Sequence, residues 1–338
     1  MNKIVIDAFG GDNAPKEVVL GVVNALKKNN DFKAVLVGKK IEIEELLKFY
    51  KYDESRVEIL DAKDVITCEE EPTLAIRRKP ESSICVGIKY LKENEDATAF
   101  VSAGSTGAVL ASATLKLGRI KGVNRPALCP VLPTVTGGKV LMLDSGANAD
   151  CKPINFCQFA VMGSIYAESL GIKNPRVGLL SNGTEDEKGS MLSKEIFALL
   201  KEIKGINFIG NIEGRDILSG DVDVVVTDGF SGNIALKSME GAIGTIFATL
   251  KKEIKSSLKA KIGALFMKKT FKRLKGKLDY NNNGGALFLG ALKPVIKVHG
   301  SSKSTAIANA VLQAVEISNF GVSNVISEKI SSIGEIIV

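Results

Sequence analysis

Residues 97–115, ATAFVSAGSTGAVLASATL, form the longest uncharged run in a chain of 338 residues. At nineteen residues the run approaches the length of a membrane span. Eight of its positions are Ser, Thr or Gly, however, and Gly104-Ser105-Thr106-Gly107 interrupts it where a spanning helix needs apolar surface. It divides instead into a strand, Thr98 to Ser102, a glycine-rich polar loop, and a helix, Thr106 to Leu117.

The same order of strand, polar loop and helix recurs outward in both directions. Towards the N-terminus, Ile4-Val5-Ile6 runs into Ala8-Phe9-Gly10-Gly11-Asp12-Asn13-Ala14-Pro15, and Pro15 suits the first turn of a helix reaching about Lys28. Other strands are expected at Ala34 to Val37, Val57 to Leu60, Val140 to Leu143, Val177 to Leu180, Phe208-Ile209, Val222 to Val226 and Val295 to Val298. Helices are expected at Ile41 to Tyr50, Ser82 to Lys92, Pro153 to Leu170, Ser190 to Lys201, Asn233 to Lys259 and Ser304 to Glu316. Short β-branched runs alternating with helices predict an α/β fold, a mostly parallel sheet covered by helices. No repeat or low-complexity linker divides the chain, so residues 1–338 read as one α/β unit, or as two lobes with no linker between them.

Six of the strands end in glycine-rich polar loops, which begin at Asp7, Ser102, Asp144, Ser181, Asp228 and His299. In a parallel sheet the carboxyl ends share one edge, where such sheets bind ligands. Glycines let backbone N–H groups approach an anion, and a helix starting after the loop adds its positive end. The expected ligand is phosphate or another small oxyanion. Any one of these loops is also what an ordinary tight turn would use. Neither G-x-x-x-x-G-K-[ST] nor G-x-G-x-x-G occurs, which favours a bare anion over a nucleotide.

Composition narrows the chemistry further. A 45% hydrophobic and 25% charged chain of this length folds around a sizeable core. His299 is its single histidine, so neither a two-histidine metal site nor a repeated proton relay can be built, and no metal or other cofactor is expected. Cys68, Cys85, Cys129, Cys151 and Cys157 include no Cys-x-x-Cys pair. An odd cysteine count, with an acidic residue at position 7 where a signal peptide would be apolar, suggests reduced thiols in the cytoplasm.

The loop segments taken together resemble the bacterial PlsX family of phosphate acyltransferases. The resemblance rests on residues 6–15, 100–108 and 143–148, on Asn211-Ile212-Glu213-Gly214-Arg215-Asp216, on Thr227-Asp228-Gly229-Phe230-Ser231-Gly232-Asn233, and on His299-Gly300-Ser301-Ser302. Order and spacing match from end to end. The family pattern has Met at the position of Phe9, Asn at Ser105 and often Leu at Ser145; none of these departures removes a charged group. The resemblance implies conversion of fatty acyl-acyl carrier protein and inorganic phosphate into acyl phosphate, feeding phospholipid synthesis. It also implies a fold like that of phosphotransacetylases and isopropylmalate dehydrogenases, a homodimer, peripheral association with the inner face of the cell membrane, and a downstream glycerol-3-phosphate acyltransferase.

Such chemistry fits a chain with one histidine. Phosphate dianion is itself a nucleophile, and a thiolate with a pKa of about 8.5 leaves with little help, so direct transfer without an acyl-enzyme is expected. Phosphate is expected at Gly10, Gly11, Asn13, Ser102, Gly104, Ser105, Thr106 and Gly107, with Asn148 and Asn182 as further donors. Asp12 and Asp228 would orient these donors or cap helices, since a carboxylate repels phosphate. Lys188 is the favoured cation, or else a solvated lysine at a helix start. His299 protonates the leaving group or donates a hydrogen bond from its loop, and Asn233 joins it among the candidate catalytic residues. Arg77 and Arg78 face phosphate, carrier protein or solvent. Cys151 lies close to the expected site, but the sequence supplies it no base.

The charge is concentrated in one place. The chain carries a net +7, whereas residues 251–278 hold eleven Lys or Arg against Glu253, a local +10 that leaves the remainder at −3. Phe247, Leu250, Ile254, Leu258, Ile262 and Leu265 recur at steps of three and four, and Phe266, Met267, Phe271 and Leu274 continue the apolar content. Residues 247–278 thus read as a basic amphipathic helix, bent or paired about Gly263. Contact through Leu258, Ile262, Leu265, Phe266 and Phe271, with Lys268, Lys269, Lys272 and Arg273, could serve an anionic membrane, an acidic carrier protein, or a core with a solvated face. Nucleic acid is disfavoured, because aromatics are 6% of the chain and no nucleic-acid motif accompanies the patch. Two other classes stay open: an isopropylmalate-type dehydrogenase, for which the dinucleotide signal is missing, and a noncatalytic membrane scaffold, which leaves the six loops unexplained.

Overall fold

A computed structural model describes residues 1–278 and 284–333. The strands read from sequence divide between two sheets rather than one. The larger has the order β3 (Val57–Asp61), β2 (Phe32–Gly38), β1 (Asn2–Asp7), β4 (Ala97–Ser102), β12 (Val295–Lys297), β11 (Ala286–Leu289), β5 (Ala127–Cys129). All its neighbours pair in parallel except β11, which is antiparallel to both β12 and β5. The smaller has the order β6 (Val131–Pro133), β7 (Lys139–Leu143), β10 (Val224–Val226), β8 (Arg176–Leu180), β9 (Asn207–Ile212), with only β6 antiparallel. The chain crosses between the sheets at Pro130, which separates β5 from β6.

Helices α1 (Lys16–Lys28), α2 (Lys40–Leu47), α3 (Pro72–Arg78), α4 (Ser83–Glu93) and α5 (Thr106–Ser112) belong to the larger sheet's half. The last turns after α5 are π-helical, Ala113–Leu117. Next come α6 (Pro153–Ser169), α7 (Met191–Glu202), α8 (Gly229–Ser256), α9 (Leu258–Leu278), α10 (Ser304–Phe320) and α11 (Val322–Ile333). Every residue of α6 from Asn155 to Ala167 is buried, as a helix apolar on all faces must be. One apolar cluster runs from Ile4 and Ile296 in the larger sheet through Phe159 and Met162 to Leu143 and Val224 in the smaller.

The uncharged run of residues 97–115 becomes β4, its loop, α5 and the start of the π-helical turns, and among the described residues no helix is long and apolar enough to cross a membrane. Sequence reading missed β5, β6 and β11, the short α3, and α11. It started α8 at Asn233, whereas Asp228 accepts from Ser231 N at 2.7 Å and begins the helix a turn earlier, at Gly229. The break in the basic segment falls at Ser257, whose backbone is extended, and Gly263 lies inside α9. Along α8 only Gly229 and Gly232 are buried, and Leu258, Ile262, Leu265 and Phe266 of α9 are exposed.

Candidate active site

β1, β4 and β12 are neighbours, so their loops meet over the end of the larger sheet. Asp7, the last residue of β1, is fully buried. It accepts from Ser102 Oγ at 2.6 Å and from Phe9 N at 3.2 Å. Ser102 Oγ in turn accepts from Gly104 N at 3.0 Å. Burial pushes the Asp7 carboxyl above its ordinary range, against the pull of the Ser102 hydroxyl. Gly11 has φ +96°, and a Cβ there would stand 2.8 Å from Gly300 O, so only glycine lets the β1 and β12 loops close this tightly. Asp12 N donates to Gly300 O at 2.8 Å, and Asn13 Nδ2 donates to Ser301 O at 3.0 Å. Ser105 caps α5 by accepting from Ala108 N.

A second lip is built on the smaller sheet in the same manner. Asp144, buried at the end of β7, accepts through Oδ1 from Leu128 N, Gly146 N and Ala147 N, at 3.0, 3.2 and 3.0 Å. Its Oδ2 accepts from Asn148 N at 2.6 Å and Asn148 Nδ2 at 2.8 Å. Burial raises this carboxyl too, opposed by those donors. α8 closes on the loop through Gly229 N, which donates to Asn148 O at 2.8 Å. A side chain at Gly232 would collide with Asp144 O, so the backbones meet directly there.

Between the lips lies a cavity of about 420 Å³. Gly104 and Thr106 line one wall, Ser145, Gly146 and Asn233 the other, and His299 and Gly300 stand at the end of β12. Its floor carries Lys297, 9% exposed, whose Nζ donates to Val298 O and Ala103 O. Desolvation lowers this ammonium to about 8, with Cys68, Asp7 and Asp12 pulling it back up. His299 Nδ1 accepts from Ser301 N at 3.2 Å, so a neutral ring carries its hydrogen on Nε2.

The structure brings four of the sequence-selected loops to this cleft, those after β4, β7, β10 and β12, and buttresses it with the β1 loop. The loop after β8 goes elsewhere. Its Ser181 N donates to Ile212 O and its Glu185 O accepts from Asn211 Nδ2, both towards β9. Asn182 and Lys188 are exposed and line no part of the cavity, and Lys188 faces Glu185 at 4.0 Å. Several expected phosphate donors are already engaged: Ser102 with Asp7, Asn13 with the β12 loop, and Asn148 Nδ2 with Asp144 Oδ2 and Pro126 O. Gly10 packs against Asp7 and Gly104 N, and Gly107 against Pro72. Asp228 is occupied as the α8 cap.

Residues 2–325 match the family described as fatty acid synthesis protein. The chain is 49% identical over 329 residues to a phosphate acyltransferase of Clostridium novyi (strain NT), covering 97% of this chain and 98% of that one. It is 50% identical over 316 residues to a phosphate acyltransferase of Bacillus cereus (strain B4264), covering 93% and 94%. The chain belongs to the phosphate acyltransferase family. Among solved structures, a phosphotransacetylase from Streptococcus pyogenes superposes with a TM-score of 0.64 at 17% identity, covering 94% of each chain. A 4-hydroxythreonine-4-phosphate dehydrogenase from Klebsiella pneumoniae gives 0.54 at 12% identity, covering 94% and 98%. Both likenesses speak to the fold alone.

In this phosphate acyltransferase, Asp7, Asp144 and Lys297 are the residues that sequence reading passed over. Their common signal is a charged side chain at or inside the end of an apolar strand, where burial is expected. Cys151 is pushed up to about 11, chiefly by burial, and its thiol faces Asn148 O, the environment of a protonated, unreactive cysteine. Ser145, on the cleft wall, donates its hydroxyl to Met142 O at 3.0 Å, and a backbone carbonyl cannot serve as the base of a nucleophile.

Proposed function

We propose that the chain transfers a fatty acyl group from acyl carrier protein to inorganic phosphate, giving acyl phosphate and free carrier protein. The observation that carries this reading is a glycine-walled cleft with a buried ammonium, Lys297, at its floor. Phosphate sits against Lys297, the Gly104 and Gly300 backbone and Thr106. One of its oxygens attacks the thioester carbonyl, forming the C–O bond. The carbonyl oxygen becomes an oxyanion beside Asn233 and the N-terminal end of α8. Its collapse breaks the C–S bond; His299 Nε2–H donates a hydrogen bond to the departing thiolate, which takes its proton from the hydroxyl of the transferred phosphate. Lys297 replaces Lys188 as the cation in this scheme, and Asp228 and Asp12 hold elements rather than touch phosphate.

Acyl-phosphate release from acyl-acyl carrier protein, measured with and without phosphate, tests the reaction. Folded protein that forms no acyl phosphate would sink it. Incubation with the acyl donor alone tests direct transfer, which a stable, phosphate-releasable acyl-enzyme would overturn.

The chain's site of action is proposed to be the inner face of the cell membrane. A homodimer would present the basic, apolar surface of α9 to anionic lipid and pass acyl phosphate to a glycerol-3-phosphate acyltransferase. Supporting this are the local +10 charge and the exposed Leu258, Leu265 and Phe266. Sedimentation with anionic and neutral vesicles distinguishes the readings, since equal binding to both, or to neither, removes the lipid contact.

A further inference from the structure

A second cavity, of about 530 Å³, opens on the far side of the same two loops. Gly146 lines both cavities, and Gly107 and Ala147, which follow the cleft residues Thr106 and Gly146 in the chain, line the second groove. The inner half is apolar, formed by Leu110 and Ala111 of α5 over the buried Phe288. π-helical turns beginning at Ala113 swing Thr114 and Leu115 into its wall, and such turns gather at functional sites. The outer rim carries Arg119 and Arg125. Both are exposed, and among the described residues neither has a carboxylate within ion-pair distance.

We infer that this groove holds the phosphopantetheine arm of the carrier protein, with its phosphodiester between Arg119 and Arg125 and its thioester at Gly146. The inference rests on the proposed reaction, which requires a thioester donor. Charge and order along the groove decide the occupant. The arm is amide-bearing and neutral along its length and carries its phosphate at the protein end, matching apolar and hydroxyl lining inside and guanidinium groups outside; Glu71, the one carboxylate in the lining, is occupied capping α3 through Thr73 N and Leu74 N. A fatty chain would have no use for two arginines at the rim, one of them, Arg119, spending a single N–H on Asn124 O. It is left the opposite direction, along Leu128, Val131 and Leu236 of the reaction cleft.

Competition kinetics against acyl-acyl carrier protein test the assignment, with free phosphopantetheine and pantetheine as inhibitors. Phosphopantetheine should compete with the wild-type enzyme, and the double substitution Arg119→Ala, Arg125→Ala should raise its inhibition constant about tenfold, the size expected for losing a charge-assisted hydrogen bond. The change for pantetheine, which lacks the phosphate, should be severalfold smaller. Ala111→Trp should lower kcat/KM by the same factor for decanoyl and palmitoyl donors. Failure of phosphopantetheine to compete, or equal changes for both inhibitors, would overturn the arm site. A penalty at Ala111→Trp that grows with acyl length would overturn it in favour of the fatty chain. Each of these results leaves wild-type acyl-phosphate formation intact; its absence with every donor would instead remove the reaction itself, and the arm site with it.

Discussion

The two lips of the cleft are built alike, on a buried aspartate at the end of a buried strand, yet they do different work. Asp144 accepts five N–H donors, four from backbone, and so freezes the β7 loop and seats α8 against it. Asp7 accepts from Ser102 Oγ and Phe9 N, with the Ser83 hydroxyl also favouring its charged form, and it lies in the field of Lys297. One lip is thus organised to hold backbone donors in place. The other tolerates an ammonium in a site where burial disfavours charge. An anion-binding cleft would need both, and under the proposed reaction the Asp7 lip would hold the phosphate while the Asp144 lip would fix the donors that face the oxyanion.

Lys297→Met is the harshest test of that division. Removing a preorganised charge from the site of the attacking dianion should lower kcat for acyl-phosphate formation by about 10²–10³-fold. The same substitution should stabilise the fold. Lys297 is held near 8 against an ordinary 10.5, so between those values the unfolded chain binds more protons than the native one, and stability rises with pH. Below about pH 8 the buried ammonium therefore costs up to about 3 kcal/mol, which the methionine variant avoids. Urea unfolding at pH 7 and pH 10 reads the effect, and the variant's advantage should shrink at the higher pH. In wild type, kcat/KM should fall as pH passes about 8, with that limb moved upward in Lys297→Arg. A methionine variant that keeps full activity would break the division between the lips.

A smaller contrast comes from the aspartates themselves. In Asp144→Asn, whichever oxygen becomes the amide group turns a donor towards at least two N–H groups. The expected loss is about 3 kcal/mol. In Asp7→Asn, the new amide can donate to Ser102 Oγ, which already accepts from Gly104 N, and the remaining oxygen still receives Phe9 N. The loss there should be about 1 kcal/mol, within the usual net value of one hydrogen bond. Equal urea midpoints for the two variants would erase the distinction.

What could be read from sequence follows from how each feature announces itself. β1, β2, β4, β7, β8, β10 and β12 are short apolar runs, and the glycine-rich polar loops that follow all of them but β2 were what suggested an anion cleft. β5 and β6 have three residues each around Pro130, too few for any period to show. They carry the chain between sheets, which is why the split into two was invisible. Lys297 was hidden inside an otherwise apolar strand, where pattern reading averages it away. Lys188 looked better because it follows a glycine-bearing loop. Only the position of β8 between β10 and β9 reveals that this loop bonds to β9 rather than reaching over the cleft.

The mildest substitution sharpens the same contrast from outside the cleft. Phe266 on α9 is 87% exposed, so Phe266→Ser removes no packing from the core. Its effect on urea stability should stay within about 0.5 kcal/mol, the range of surface changes away from special features. Activity on a soluble acyl-acyl carrier protein should be unchanged, because neither lip contacts this position. Binding to anionic vesicles should weaken, since burying an aromatic side chain in a bilayer boundary contributes about 1.5–3 kcal/mol. A fall in soluble activity would instead show that α9 takes part in receiving the carrier protein, and the acidic partner of the basic segment would then be the substrate's own carrier.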